Sequence, residues 1–259
     1  MSNENNSIHD FDFSLICEYF LSIHRQGPGS SEATLKALSF IDNLTSESHV
    51  LDVGCGTGGQ TIDLARHTTS QITAIDLFPD FVERFNQNAA EAGLLHRVKA
   101  QVNSMDAMPF AHESFDLIWS EGAIYNIGFQ KGIQDWKQYL KPGGYLAVTE
   151  ASWFTNERPD EIHSFWTDAY PQIDTIAAKV AQLQSAGYVP VATFVLPEEC
   201  WTEHFYKPQQ EAQKMFLEKH TGNKTAEMLV ENERREAELY SRYKSYYGYV
   251  FYIAKKMDA

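Results

Sequence analysis

Between residues 49 and 151 the sequence switches repeatedly between two hydrophobic periods, and this alternation constrains the fold more than any other feature. "HVLDVG" is a short apolar run of strand type, and "QTIDLARH" behind it carries helix spacing through Ile62 and Ala65. "QITAIDL" is strand-like again. Pro79 then stands where a helix can begin, Val82, Phe85 and Ala89 share one face, and Gly93 can end it. "RVKAQVNS" and "FDLIWSE" read as the third and fourth strands, "IQDWKQYL" as a helix, "KPGG" as a turn and "YLAVTEA" as the fifth strand. Strands alternating with helices pair in parallel through right-handed crossovers, so the pattern predicts a doubly wound α/β fold. Ahead of it, residues 11–23 and 31–44 read as helices broken by "RQGPGSS". After it come helices near 160–170 and 173–186, the strands "VPVATFVL" and "YYGYVFYIA", and between them a charged helical region at about 208–243. That region is too long for an ordinary connection and is expected to cover the mouth of a site.

"LDVGCGTGGQ" (residues 51–60) ends the first strand. Gly54, Gly56 and Gly59 satisfy the G-x-G-x-x-G of a dinucleotide turn, and Gly54, Gly56 and Gly58 a tighter G-x-G-x-G. Ligands of open α/β sheets bind beyond the carboxyl ends of the strands, where this loop lies. Three aspartates discriminate between cofactors. Asp52, two residues before Gly54, would repel a pyrophosphate and suit a cationic amino group. Asp76 follows Gly54 by 22 residues, a spacing at which a carboxylate accepts hydrogen bonds from ribose hydroxyls, of NAD as well as of other adenosine cofactors. Asp106, after the third strand, offers acceptor oxygens to an adenine amine. Each alone also serves as a helix or turn cap.

The formal charge of −14, from 21 basic and 35 acidic residues, excludes phosphate backbones and anionic membranes as partners and favours a small molecule. Three cysteines without C-x-x-C spacing argue against a disulfide framework. "MSNENNSIHD" carries no secretory pattern, and no apolar stretch approaches the ~20 residues of a membrane span, so a cytoplasmic location is expected. Nine histidines show no metal-ligand spacing, and no metal is expected.

Together "VLDVGCGTGG", "AIDL", "NSMDAMPF", "FDLIWSEGA" and "LKPGGYLAVTE" resemble the class I S-adenosylmethionine-dependent methyltransferases, nearest the small-molecule branch that includes quinone-biosynthesis C-methyltransferases. The resemblance spans roughly residues 45–151. It implies a seven-stranded, mostly parallel Rossmann-like sheet with an antiparallel closing strand, and S-adenosylmethionine as cofactor. It places Asp52, Gly54 and Gly56 at the methionine end, Asp76 on the ribose, Asp106 near the adenine amine, and Leu77 and Ala107 along the adenine. In such proteins a helix and turn before the first strand close over the cofactor, which nominates Tyr19 and Gly27. The segment after the fourth strand faces the methyl group; it lacks the Asn/Asp-Pro-Pro-Tyr pattern of adenine- and glutamine-directed amino methyltransferases and offers Glu121 and Tyr125 as polar candidates. His163 and His204 join them as catalytic candidates from the flanking segments.

The domain expectation is an N-terminal helical cover over 1–44 and a cofactor-binding α/β domain over 45–259 with lid segments near 152–172 and 198–244. The expected reaction is in-line methyl transfer to a small-molecule acceptor, needing a general base only where the acceptor must lose a proton. A non-catalytic cofactor sensor and an NAD-linked oxidoreductase are the alternatives, and the flanking segments leave room for a homodimer interface.

Overall fold

The computed structural model describes residues 13–257; the "MSNENNSIHD" reading, the first residues of the 1–44 cover and of the 11–23 helix, and positions 258–259 lie outside it. Five strands, β1 (His49–Val53), β2 (Gln71–Asp76), β3 (Val98–Val102), β4 (Phe115–Ser120) and β5 (Leu140–Trp153), pair in parallel. The two-residue β6 (Asp174–Thr175) hangs parallel from the end of β5. β7 (Tyr188–Val195) and β8 (Tyr247–Lys256) close the sheet, with β8 antiparallel to both β5 and β7. The strands run in the order β3-β2-β1-β4-β5-β8-β7, seven as expected, with β6 as an addition. Because β1 lies between β2 and β4, the strand order reverses beside it, and the crevice at that switch point opens above its carboxyl end.

Local chemistry sets the helix ends. The helices are α1 (Phe13–Leu21), α2 (Ser31–Leu38), α3 (Gly59–His67), α4 (Pro79–Glu91), α5 (Phe129–Trp136), α6 (Asp160–Ala169), α7 (Ile176–Ser185), α8 (Glu199–Trp201), α9 (Lys207–Lys219) and α10 (Lys224–Tyr243). Ser30 caps α2 through Ala33 N–H, Pro79 opens α4, and Asn223 caps α10 through Thr225 and Ala226 N–H. α4 buries Val82, Phe85 and Ala89 as the spacing predicts, and Gly93 follows it in the left-handed region at φ +70°.

Two expectations are corrected and a third is refined. The 31–44 helix ends at Leu38, where Ser39 N–H caps back onto Leu35 and Ala37 carbonyls. "KPGG" is not a free turn but an irregular part of β5, with a register shift opposite Phe115–Leu117 and Gly143 at φ +69°. The 208–243 region is two helices, broken at Gly222 (φ +79°) and the Asn223 cap. α8 runs into α9 through a π-helical turn, Thr202–Tyr206.

One core, including Val50, Leu64, Phe85 and Trp119, covers one face of the sheet; another, including Leu51, Ile118, Phe129 and Trp136, covers the other. Trp153, Trp166, Trp201 and Phe205 are buried structural aromatics. A third cluster joins α1 to α9 and α10, where Leu15 and Tyr19 pack with Phe216, Ala226 and Leu229. The C-terminal insertion therefore backs the helix that stands over the strand ends.

Candidate functional site

The loops after β1, β2, β3 and β4 converge on a cleft of about 440 Å³, roofed by α1 and the segment behind it. Gly54, Gly56 and Gly58 have φ of +73°, +53° and +93°, conformations that disfavour residues bearing a Cβ. A Cβ on Gly54 would lie 2.3 Å from Ala123 Cβ, and one on Gly56 2.3 Å from Gln26 Oε1. Glycine here lets the chain pass beneath its neighbours and leaves a cradle open.

Asp76 ends β2 on the cleft wall. Its Oδ2 accepts Gly56 N–H at 2.9 Å and its Oδ1 accepts Phe78 N–H at 3.1 Å, so it orients the glycine loop while its remaining lone pairs face the cleft. Burial pushes this carboxyl above its ordinary value. Leu77, exposed, and Asp106 also line the cleft; Asp106 pairs with Lys131 at 3.2 Å. Gly27 lines the roof.

Asp52 does not line the cleft. Strand alternation turns its side chain under α3, where Thr61 Oγ1 donates to Oδ2 at 2.5 Å and Gln60 Nε2 at 3.1 Å. Its Oδ1 has no hydrogen-bond partner among the described residues, and burial lifts its pKa from 3.8 to about 7. Gln60, which does line the cleft, stands between the two. Tyr19 is also displaced. Phe13, Ile16 and Phe20 occupy the cleft face of α1, and helix spacing puts Tyr19 on the opposite side, donating to Gln209 Oε1 at 2.7 Å. Ala107 is exposed outside the lining.

Among the catalytic candidates, Glu121 and Tyr125 reach the cleft. Glu121 is buried and already engaged: Thr34 Oγ1 (2.7 Å) and Trp119 Nε1 (2.9 Å) donate to Oε1, and Arg25 Nη1 (3.2 Å) to Oε2. Burial raises its pKa while Arg25 opposes the rise. It anchors the roof and is a poor base. Tyr125 lies in a 3₁₀ turn, Ile124–Asn126, with 41% of its surface exposed. His163 is exposed on α6, its ring 6.1 Å from that of Trp153, and His204 is exposed on the π-helical turn. Neither lines the cleft, nor does any residue of 152–172 or 198–244.

Residues not singled out from sequence complete the walls. Arg25 bridges Asp63 (2.9 Å) and Glu121, and Gln26 Oε1 accepts Thr57 N–H at 3.0 Å, pinning the roof to the glycine loop. Both sit in "RQGPGSS", the segment whose position had nominated Gly27. Asn103, Ser104, Met105 and Phe78 line the remaining wall.

Residues 50–144 match the family model of a methyltransferase domain. They form a class I S-adenosylmethionine-dependent methyltransferase domain. The chain is 29% identical over 161 residues to sterol 24-C-methyltransferase of Candida albicans, covering 60% of this chain and 42% of that one. It is 35% identical over 106 residues to the ubiquinone/menaquinone biosynthesis C-methyltransferase of Geotalea daltonii, covering 40% and 45%. The chain thus spans less than half the length of either relative. The solved S-adenosylhomocysteine complex of a methyltransferase from Geobacter sulfurreducens shares the fold at TM-score 0.81 and 17% identity, over 93% of this chain and 97% of that one. No helix among the described residues is long and apolar enough to cross a membrane.

Proposed function

We propose that this chain transfers a methyl group from S-adenosylmethionine to a small-molecule acceptor in the cytoplasm. The observation that carries the reading is the glycine cradle beneath Asp76, at the switch point of a class I methyltransferase sheet. The residues fit the cofactor. Gly54 and Gly56 leave the loop open to close approach, Asp76 keeps acceptor capacity for ribose hydroxyls, and Asp106 stands where an adenine amine can donate. Leu77, Phe78 and Met105 supply apolar wall for a purine. Bound there, S-adenosylmethionine supplies an electrophilic methyl group on a sulfonium centre.

The chain's task is then alignment and exclusion of water. Phe13, Ile16 and Phe20 form an apolar roof, and the Arg25–Glu121 pair fixes that roof to the loop after β4. Tyr125, at the same loop, is a polar group placed to meet an acceptor. With Glu121 held by three donors, acceptors that need strong base assistance are disfavoured.

Titration calorimetry with S-adenosylhomocysteine and NAD tests the cofactor, and incubation of methyl-labelled S-adenosylmethionine with metabolite extracts tests the transfer. We expect binding of the first ligand only, and a labelled small product. NAD binding without a response to S-adenosylhomocysteine would mean an oxidoreductase; tight cofactor binding with no labelled product across broad extracts would mean a sensor.

A further inference from the structure

Gln60, the second residue of α3, reaches the cleft from the side of the glycine loop, with only 7% of its surface exposed. Its Nε2 donates to Asp52 Oδ2 at 3.1 Å and to the Cys55 carbonyl at 3.3 Å, so both amide protons are spent on the protein. Oε1 accepts no hydrogen bond among the described residues, yet it is not one of the sealed, orphaned polar atoms. The carbonyl end of the amide is therefore the end that the cleft meets. A flipped amide would set Oε1 against the Asp52 carboxylate and the Cys55 carbonyl, three acceptors with no proton between them. The surroundings allow one orientation.

Asp52 fixes that orientation from behind. It is wholly buried, and Thr61 and Gln60 both donate to its Oδ2, which leaves Oδ1 without a partner among the described residues. When Asp52 takes up a proton, Oδ1 is the oxygen free to hold it, and Oδ2 goes on accepting. The amide thus stays turned the same way whether Asp52 is charged or neutral. The other acceptors on this part of the wall are committed. Asp76 accepts two backbone N–H groups, Glu121 is held by Arg25, Thr34 and Trp119, and Gln26 Oε1 accepts Thr57 N–H. Beside the glycine loop, Gln60 Oε1 is an unspent side-chain acceptor in a nearly dry place, and it lacks a donor. Of the groups on the cofactor's amino-acid tail, the carboxylate would be repelled there and the ammonium would be bound.

We propose that Gln60 Oε1 accepts the ammonium of S-adenosylmethionine's amino-acid tail, and that Asp52 is a positioning residue that holds the amide without touching the cofactor. This rests on the methyltransferase reading above. It differs from charge pairing between Asp52 and the ammonium in what pH does. Burial lifts Asp52 to about 7, so a direct charge pair would weaken as pH falls through that value, whereas an amide carbonyl keeps its strength. The titratable groups facing Asp52 are Asp76 on β2, Cys55 in the glycine loop and Glu121 after β4. All three are acids, and burial pushes each toward its neutral form.

The test is calorimetry on the full chain with S-adenosylhomocysteine and its deaminated analogue, which carries a plain butyrate tail. The two share adenine, ribose and carboxylate, so the ratio of their affinities isolates the ammonium. We expect the unaltered protein to prefer S-adenosylhomocysteine by at least about tenfold, with a ratio that holds between about pH 6 and about pH 8. Gln60→Met should abolish most of the preference and leave the analogue's affinity near its original value. Asp52→Leu should also lose the preference, and Asp52→Asn should keep it, because the Asn carbonyl can accept from Gln60 and Thr61 as Oδ2 does. A ratio that collapses below about pH 7, or equal losses in the Asn and Leu variants, would assign the ammonium to the Asp52 charge and overturn the inference. No preference in the unaltered protein, or one that survives Gln60→Met, overturns it as well. The pH profile needs no variant, so the outcome stands even where a substitution at Asp52 prevents folding. In all of these outcomes S-adenosylhomocysteine binds and the methyltransferase reading stands; failure to bind it at all overturns that reading and this inference together.

Discussion

At Gly54 the obstacle to a side chain is the Cβ of Ala123, an atom attached directly to backbone, which cannot rotate away. With φ at +73° as well, Gly54→Ala should destabilise the fold by roughly 1–3 kcal/mol and weaken S-adenosylhomocysteine binding more than tenfold. Gly27→Ala meets nothing within 4 Å and should leave both near their original values; urea unfolding and calorimetry on the two variants read the contrast. Asp76→Ala removes the acceptor for two backbone N–H groups as well as the one proposed for ribose. It should lower cofactor affinity about tenfold or more and stability by roughly 1–3 kcal/mol, and normal calorimetric binding would refute the ribose assignment. The placement of Gly54, Gly56 and Asp76 on the cleft was legible because it follows from backbone geometry at known strand ends. Asp52 was not, since its direction depends on strand alternation beneath α3, and Tyr19 was not, since the cleft takes the other face of α1.

Between elements, the decisive link is Arg25, which ties the roof to α3 through Asp63 and to the end of β4 through Glu121. Both side chains of the Arg25–Glu121 pair are at least nine-tenths buried, so removing the cation strands a carboxylate. We expect Arg25→Met to cost roughly 3–5 kcal/mol in urea unfolding and to expose residues 13–30 to limited proteolysis, whereas Arg25→Met with Glu121→Gln should recover a large part of the loss. An additive double mutant would show that the pair does not hold the roof. The alternation of strands and helices was readable because each carries its own period. What lay beyond reading was which element touches which: the insertion at 198–244 was expected over the cleft mouth, and it instead braces α1 from behind through Tyr19, Gln209 and Phe216. Such contacts join residues nearly two hundred positions apart and leave no local periodicity.

For the whole molecule, the raised carboxyl groups set a direction for stability against pH. Asp52 moves from 3.8 to about 7 and Glu233 from 4.5 to about 8, chiefly through burial, and Asp76, Glu121 and Glu150 move the same way. Folding therefore favours their protonated forms. Their contribution is complete below the ordinary values and is lost as pH climbs through about 7 to 8. The thermal midpoint of the ligand-free protein should fall between about pH 5.5 and about pH 8.5, and Asp52→Asn should flatten that slope; a midpoint that rises over the interval would contradict the burial of these groups. The topology carries a consequence of a different kind. β8 is the last of the sheet's strands to be synthesised, yet it lies between β5 and β7 and bonds to both. On a translating ribosome β1 to β5 can assemble early, while β7 waits with an open edge through about fifty mostly helical residues and β5 for longer still. The interval before Tyr247 emerges is when a nascent chain of this kind is most exposed to wrong partners, and a chaperone that shields strand edges would act there.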